Sequence, residues 1–390
     1  MKIAYYCQHV LGVGHFHRSL EICRELSKKH QVTMIIGGAP VETAVDEVAF
    51  FQLPGLMMDT TFNNLRPCNN SATLEETKTQ RQKSLYNFFV EHSPDVFLVE
   101  LYPFGRKAFR FELDPVLTGI KTGDLSPCLS LCSLRDILVE RHDKTKFEKR
   151  IITTLNSLFG GLLIHGDRTF IKLDETFSRV EDIAIPYEYT GYVTRPSVHN
   201  QPFLQPETTH LPTGSKHIIT SIGGGNVGGE LLTAVIKAHD LLDDESLYLQ
   251  IFTGPYAPAS LVETLRNSEK HNVRIDRFTT KFPELLETAN LSISMAGYNT
   301  CMNVLTAGIP AIFYPFRQNQ EQNLRVSRLQ KLAPCTVLAP EDLTPPKLAD
   351  SIEKQLKYER FISPVDLHGA TKTADIVDTW YTTFRHKHEI

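Results

Sequence analysis

No apolar run in this 390-residue chain approaches the roughly 20 residues needed to cross a bilayer, so no membrane-spanning helix is expected. Neither sign of charge dominates. A formal net charge of -4 with 22% charged and 41% hydrophobic residues argues against both disorder and a nucleic-acid-binding surface. The seven cysteines, at 7, 23, 68, 128, 132, 301 and 335, contain no CxxC pair and leave one over from any full pairing. Free thiols in a reducing cytosol fit that count. A GxxxxGK[ST] phosphate loop is missing. The first glycine turn, "LGVGH" (11–15), lacks the third glycine of a dinucleotide fingerprint, and no acidic residue ends the second strand, "QVTMIIGG". A nicotinamide-dinucleotide site is therefore not expected. The opening "MKIAYYCQHV" is too short and too polar at its end for a signal peptide and reads as a β-strand.

What is present is a grammar stated twice. Strand "KIAYYC", loop "QHVLGVGH", helix "FHRSLEICRELSKKH" and strand "QVTMIIGG" make a βαβ unit, whose crossover implies a parallel sheet. "DVFLVEL" (95–101), "PCLSLCSLRDIL" (127–138) and "GLLIHGD" (161–167) are further candidate strands ending in polar residues. Residues 56–83 read as a long loop entering a helix near Ser84 to Glu91. The stretch 191–215 holds four prolines and almost no periodicity, as an interdomain linker would. After it, "KHIITSIGGG" restarts the alternation of strand and helix. At this length two domains are the expectation. The division is 1–190, a linker at 191–215, a second domain at 216–372, and a C-terminal helix at 373–390 packing back on the first domain. The fold class is α/β with parallel sheets flanked by helices.

The stretch "SMAGYNTCMNVLTAGIPAIFYPF" (294–316) carries the most chemistry. It reads as a strand end, a glycine turn, a helix closed by Gly308, a proline stop and another strand. A strand, a glycine-bearing turn and a helix N-terminus together present amide N–H groups and the positive end of a helix dipole. That suits a phosphate. Similar turns occur at "LGVGH" and at "SIGGGNVGGE" (221–230). A tight strand-to-helix turn with no ligand is the plain alternative for each.

"GVGHFHRS", "GGGNVGG" and "SMAGYNTCMNVLTAGIPAIFYPFRQNQEQN" together resemble the GT-B glycosyltransferases of family 28, the group of the lipid-intermediate N-acetylglucosaminyltransferase of peptidoglycan synthesis. The resemblance implies two facing Rossmann-like domains, with a nucleotide sugar bound mostly by the second and the acceptor entering through the first. It puts Ala296, Gly297, Tyr298, Asn299 and Thr300 around the donor diphosphate, and Gly14, Gly223, Gly224 and Asn226 in the other glycine turns of the donor site. Where relatives carry an acidic residue for the ribose hydroxyls, this chain has Asn303, whose amide can still bond a hydroxyl. Glu321 and Gln322 match a pair that grips the donor sugar, and Arg277 and Phe278 match the segment lining the base.

His15 follows Gly14 at the end of the first strand, where relatives have a histidine close to the reacting centre, and its imidazole can take a proton near neutral pH. The alternative is a histidine that merely caps the following helix; His17 is second choice. Glu100 and the Arg135–Asp136 pair end two other strands, so each carboxylate is a candidate base or acceptor ligand, or part of an ordinary buried ion pair. Asp167 is a weaker candidate of the same kind. Basic residues in "RHDKTKFEKR" (141–150) and "FGRKAFRF" (104–111) suit an anionic acceptor or a membrane surface, or are simply solvated helix faces. With no Asp-x-Asp motif after a strand, neither a metal nor any other cofactor is expected. The activity that the resemblance implies is transfer from a nucleoside-diphosphate sugar, expected to be a UDP-sugar, to a glycan, lipid, peptide or natural product, in the cytoplasm or at the inner membrane face. A nucleotide-sugar 2-epimerase and a catalytically silent nucleotide-sugar-binding partner are the competing readings.

Overall fold

The computed structural model describes residues 1–9, 14–38, 47–58, 64–69, 72–138, 143–195 and 214–388. Most of "LGVGH" and of the proline-rich stretch therefore lies outside the described residues. The chain divides into two units, Met1–Val193 with His368–Ile390, and Thr194–Leu367.

In chain order the first unit comprises β1 (Lys2–Cys7), α1 (Gly14–Ser27), β2 (Gln31–Ile36), β3 (Ala49–Gln52), β4 (Leu56–Met58), β5 (Leu65–Pro67), α2 (Leu74–His92), β6 (Val96–Glu100), α3 (Arg110–Thr122), β7 (Leu129–Arg135), α4 (Lys144–Leu158), β8 (Gly161–His165) and β9 (Tyr187–Tyr189). Seven strands form one sheet in the order β3-β2-β1-β6-β7-β8-β9, every pairing parallel, while β4 and β5 pair antiparallel apart from it. The second unit comprises β10 (Lys216–Ser221), α5 (Gly229–Leu242), β11 (Leu247–Phe252), α6 (Ala259–Arg266), β12 (Val273–Asp276), α7 (Phe282–Thr288), β13 (Leu291–Met295), α8 (Tyr298–Ala307), β14 (Ala311–Tyr314), α9 (Gln320–Leu329), β15 (Cys335–Val337) and α10 (Pro345–Gln355). Its sheet runs β12-β11-β10-β13-β14-β15, again all parallel. The last helix, α11 (Gly369–His388), belongs to the first unit and packs on α1.

Period-two alternation along β1 explains why this strand can lie inside a covered sheet. Ala4 and Tyr6 join the core cluster on one face, and Ile3, Tyr5 and Cys7 join the cluster on the other. That second cluster contains Phe16, Leu20 and Cys23 of α1 together with Ala374, Val377 and Tyr381 of α11. Both faces of a parallel sheet must be buried, and the chain's final helix supplies part of one cover. Polar contacts fix its register: Tyr381 Oη donates to Asp95 Oδ1 at 2.7 Å, and His30 Nε2 pairs with Asp378 Oδ1 at 2.7 Å.

One element departs from the sequence reading. The helix expected near Ser84 to Glu91 begins ten residues earlier, at Leu74. Thr73 and Glu76 close a capping box there, each side chain bonding the other's backbone N–H, and this stabilises a start that hydrophobic periodicity does not mark. The extra turns bring Arg81 into the interior, fully buried, where it bonds Glu112 and the carbonyls of Gly37 and Pro54.

Each sheet has one place where consecutive strands stop adding on one side and resume on the other. In the first unit it falls between β1 and β6, and in the second between β10 and β13. Loops leaving the carboxyl ends of such a pair diverge and leave a crevice, the usual ligand position in open parallel sheets.

Candidate functional site

At the β1/β6 switch point the first turn of α1 meets the end of β6. His15 Nδ1 lies 2.6 Å from Glu100 Oε1, and Arg18 Nη2 donates to the same oxygen at 2.7 Å. His15 and Arg18 are three residues apart on one helix face, so both reach Glu100. The Glu100 side chain is wholly buried, while that of His15 keeps 25% of its surface exposed. Arg106 approaches from the loop after β6, its Nε 3.5 Å from Glu100 Oε2, and holds a left-handed backbone (φ 54) to do so. Below this cluster runs a buried polar chain in which Tyr5 Oη bonds Ser133 Oγ, Ser133 Oγ bonds His165 Nε2, and His165 Nδ1 bonds Thr190 Oγ1.

Electrostatics fix the protonation states. Burial by itself would push the Glu100 carboxyl up, but His15, Arg106 and Arg18 outweigh it and hold the group far below the usual carboxylate range. Glu100 is thus an anion that accepts Nδ1–H of a neutral His15, which leaves the Nε2 lone pair without a partner among the described residues. Burial lowers the His15 pKa from 6.5 to about 4, and Arg106 and Arg18 act in the same direction against the opposing pull of Glu100. The remaining ionisable neighbours stay neutral at physiological pH: burial pushes the Cys7 thiol up to about 12, raises Tyr5 and Cys132, and lowers His165 to about 3. The sign of the pH dependence follows. Between pH 6.5 and about 4 the unfolded chain binds a proton at this position that the folded chain does not, so stability is full above 6.5 and falls as pH drops through that window. The imidazole resonances of His15 should accordingly shift near pH 4 in an NMR titration, and a midpoint at or above 6.5 would contradict the geometry.

At the β10/β13 switch point two glycine turns come together in the sheet. Ser221, the last residue of β10, pairs with Ser294 of β13. From β10 the chain passes through Gly223, Gly225 and Gly228, all in the left-handed region (φ 68, 93 and 92), into α5. A Cβ on Gly225 would sit 2.5 Å from the Thr253 carbonyl, so glycine is required there by close backbone approach; Gly223, Gly224 and Asn226 are exposed on the outer side. From β13 the chain passes through Ala296 and Gly297 into α8, whose N-terminus carries no side-chain cap. Gly297 has an ordinary φ of -64, and a Cβ on it would meet nothing nearer than Thr300 Oγ1 at 4.0 Å. Neither conformation nor internal packing accounts for this glycine. The space beside it is open.

Around that turn, Asn299 and Thr300 are half-buried in the first turn of α8, and Asn303 follows one turn along the same face. The Tyr298 ring is buried beneath the Arg325 guanidinium, 5.3 Å away, so this residue meets a ligand through its backbone. Fully buried Arg325 also reaches the Ala296 carbonyl at 3.5 Å and Glu321 Oε1 at 2.9 Å. Gln322 Oε1 accepts from the Phe316 N–H at 2.8 Å, which closes the turn between β14 and α9 and leaves its amide N–H groups for a ligand. Arg277 pins the neighbouring turn through the carbonyls of Pro255 and Ala257, and Phe278 stands 53% exposed at the end of β12.

Residues 219–378 match the glycosyltransferase family 28 C-terminal domain. This stretch contains both glycine turns, α8 and the Glu321–Gln322 pair. That match spans most of the second unit. Curated relatives agree with the assignment. An UDP-N-acetylglucosamine–N-acetylmuramyl-(pentapeptide) pyrophosphoryl-undecaprenol N-acetylglucosamine transferase of Proteus mirabilis is 26% identical over 142 residues, 35% of this chain and 39% of that protein. An uncharacterized glycosyltransferase of Methanopyrus kandleri is 22% identical over 168 residues, 43% of this chain and 46% of the relative. The matched stretch is less than half the length of either. Solved structures extend the likeness in fold to nearly the whole chain. The glycotransferase of kitacinnamycin superposes with a TM-score of 0.63 at 14% identity, covering 97% of this chain and 99% of its own. Acinetobacter baumannii MurG gives 0.59 at 13%, covering 97% and 100%. The fold is GT-B.

The other candidates lie as follows. Gly14 opens α1 one residue before His15. His15 bonds Glu100 and not Asp136. Asp136 is 1% exposed just beyond β7, and its Oδ2 accepts from Tyr192 Oη at 3.1 Å. Asp167 caps its own turn through Thr169 N and Oγ1 at 2.8 and 2.6 Å. His17 sits two helical positions from His15 and turns its ring edge toward Phe16. Sequence reasoning missed Arg18 and Arg106, the two cations on Glu100. The spacing from His15 to Arg18 was a readable signal for one; nothing local announces the other. Among the described residues no group of three His, Cys, Asp or Glu side chains could hold a metal ion, and no helix is long and apolar enough to cross a membrane.

Proposed function

We propose that the chain is a glycosyltransferase that moves a hexose or N-acetylhexosamine from a nucleoside-diphosphate sugar, a UDP-sugar by family, to an acceptor hydroxyl, without a metal and with inversion. The observation that carries this reading is the His15–Glu100 pair: a neutral imidazole, oriented by a buried carboxylate, with its outer nitrogen available. Such a pair is a general base. In the proposed step the acceptor hydroxyl bonds His15 Nε2 and its oxygen forms a bond to the anomeric carbon. The bond from that carbon to the diphosphate oxygen breaks, and the proton passes to Nε2. The bond-forming oxygen grows more acidic as it attacks, so a base of low pKa can accept its proton late in the step. The leaving diphosphate carries the departing electron pair and rests at the open N-terminus of α8, where amides and the helix dipole neutralise it. Arg325, buried behind the same turn, adds positive charge at short range.

Uridine diphosphate should raise the melting temperature by binding the folded state, and incubation with UDP-sugars and candidate acceptors should yield transferred sugar. Epimerised free donor would point to the epimerase reading, and binding without turnover to the silent partner. Gly297→Ala separates ligand from fold. The substitution should change the stability of the free protein by less than about 1 kcal/mol, because the less flexible unfolded chain is offset by the weaker capping of alanine at this N-cap position. The added methyl stands where the diphosphate is held, so UDP affinity should fall roughly tenfold or more. Unchanged UDP binding in this variant would remove the diphosphate from α8.

A further inference from the structure

A separate cavity of about 60 Å³ opens beside the loop that follows β6, lined by Tyr102, Pro103, Lys107, Arg110, Arg150 and Thr154. Three of these six are cations, brought together from α3, the short turn before it, and the middle of α4. Asp114 is the carboxylate at its edge, and both of its oxygens are engaged: Oδ1 accepts from Tyr102 Oη and Oδ2 from Arg110 Nε at 3.2 Å. Lys107 has no ion pair or hydrogen bond with any described side chain, and the Arg150 guanidinium lies over the Phe147 ring at 5.3 Å with no carboxylate on it. Three positive charges against one negative leave a local excess of two. Like charges gathered around a small concave space repel unless something fills it with the opposite sign. The Thr154 hydroxyl, on the next turn of α4 from Arg150, adds a donor that is not committed elsewhere among the described residues.

Size and charge together name the occupant. The space is far below the roughly 300–1,000 Å³ that enclose a drug-sized ligand, so a nucleotide does not fit, whereas one tetrahedral oxyanion does. An excess of two positive charges matches a dianion, and guanidinium groups bond phosphoryl oxygens in pairs. We propose that this cavity binds a phosphate dianion, either orthophosphate or the head of a phosphomonoester whose remainder stays outside. The site uses neither His15 nor the α8 turn, so it stands or falls independently of the transferase reading.

The test is isothermal titration of the full chain with inorganic phosphate at about pH 7.5, where phosphate is mostly a dianion, run with and without saturating UDP so that any phosphate bound at α8 is displaced. One equivalent should bind with UDP present. Arg150→Gln and Lys107→Gln should each weaken that binding roughly tenfold, the scale of a lost charge-assisted bond, while UDP affinity and melting temperature stay at wild-type values. Two further arms separate the sources: glycerol 3-phosphate in solution, and vesicles of phosphatidylcholine with or without phosphatidic acid. Binding in either arm that depends on Arg150 and Lys107 supports the site and tells a free metabolite from a lipid head. No binding of any of these probes up to about 10 mM, or binding that neither substitution weakens, overturns it.

Discussion

Replacing His15 with alanine is expected to lower kcat by roughly a hundredfold or more, the scale of losing a positioned base, with UDP affinity changed less than about twofold. The two outcomes are coupled by position. His15 belongs to the first unit, and the residues assigned to the diphosphate, Ala296 to Thr300, lie in the turn after β13 and the first turn of α8 in the second. A single-turnover assay alongside a UDP titration reads both. If turnover survived, the proton would have to go elsewhere. Glu100 is fully buried beneath His15 and Asp136 is 1% exposed under Tyr192, so neither replaces it without rearrangement. If turnover and UDP affinity fell together, His15 would be a donor ligand or a support of the fold.

A loss of similar or greater size, on the order of a thousandfold in kcat, is expected from Glu100→Gln, for a different reason. Glutamine keeps its Oε1 where both His15 Nδ1–H and Arg18 donate, but its amide carries no charge. The ring stays in place, while the imidazolium that forms in the step loses the counter-charge that stabilises it. The same change removes the carboxylate charge that both Arg18 and Arg106 approach, and breaking a buried ion pair costs about 3–5 kcal/mol. Folding must therefore be checked. A melting transition with a normal UDP shift shows that the variant is folded, and nitrogen NMR of His15 shows which ring atom is protonated. A folded variant with wild-type turnover would mean that the Glu100 charge does not support the base.

Much of this was legible in the sequence because the signals were local. "KIAYYC" is an apolar run of strand length, "LSIS" alternates leucine and isoleucine with serine, "AGYNT" and Gly308 bracket a helix of three turns, and the resulting α8 spans Tyr298–Ala307. What stayed hidden depends on contacts between distant residues. Arg106 meets Glu100 only because a left-handed turn after β6 folds back, and Arg81 meets Glu112 across 31 positions. Two overlooked signals were local after all. The "TLEE" capping box marks the start of α2, and the four-residue spacing of Glu321 and Arg325 predicts their ion pair. That pair changes the meaning of Glu321, since one oxygen expected to face a sugar is already held by a buried guanidinium.

The first unit is assembled from both ends of the chain, and this sets an order of events during synthesis. Residues Thr194–Leu367 are contiguous and can fold as they leave the ribosome, whereas the cover supplied by Ala374, Val377 and Tyr381 arrives last. At roughly 5–20 residues per second, the sheet bearing His15 waits on the order of ten to forty seconds for its final helix. During that interval Phe16, Leu20 and Cys23 lack part of their covering, a nascent surface suited to a chaperone. Emergence of α11, long after the sheet itself, then completes the half that carries His15.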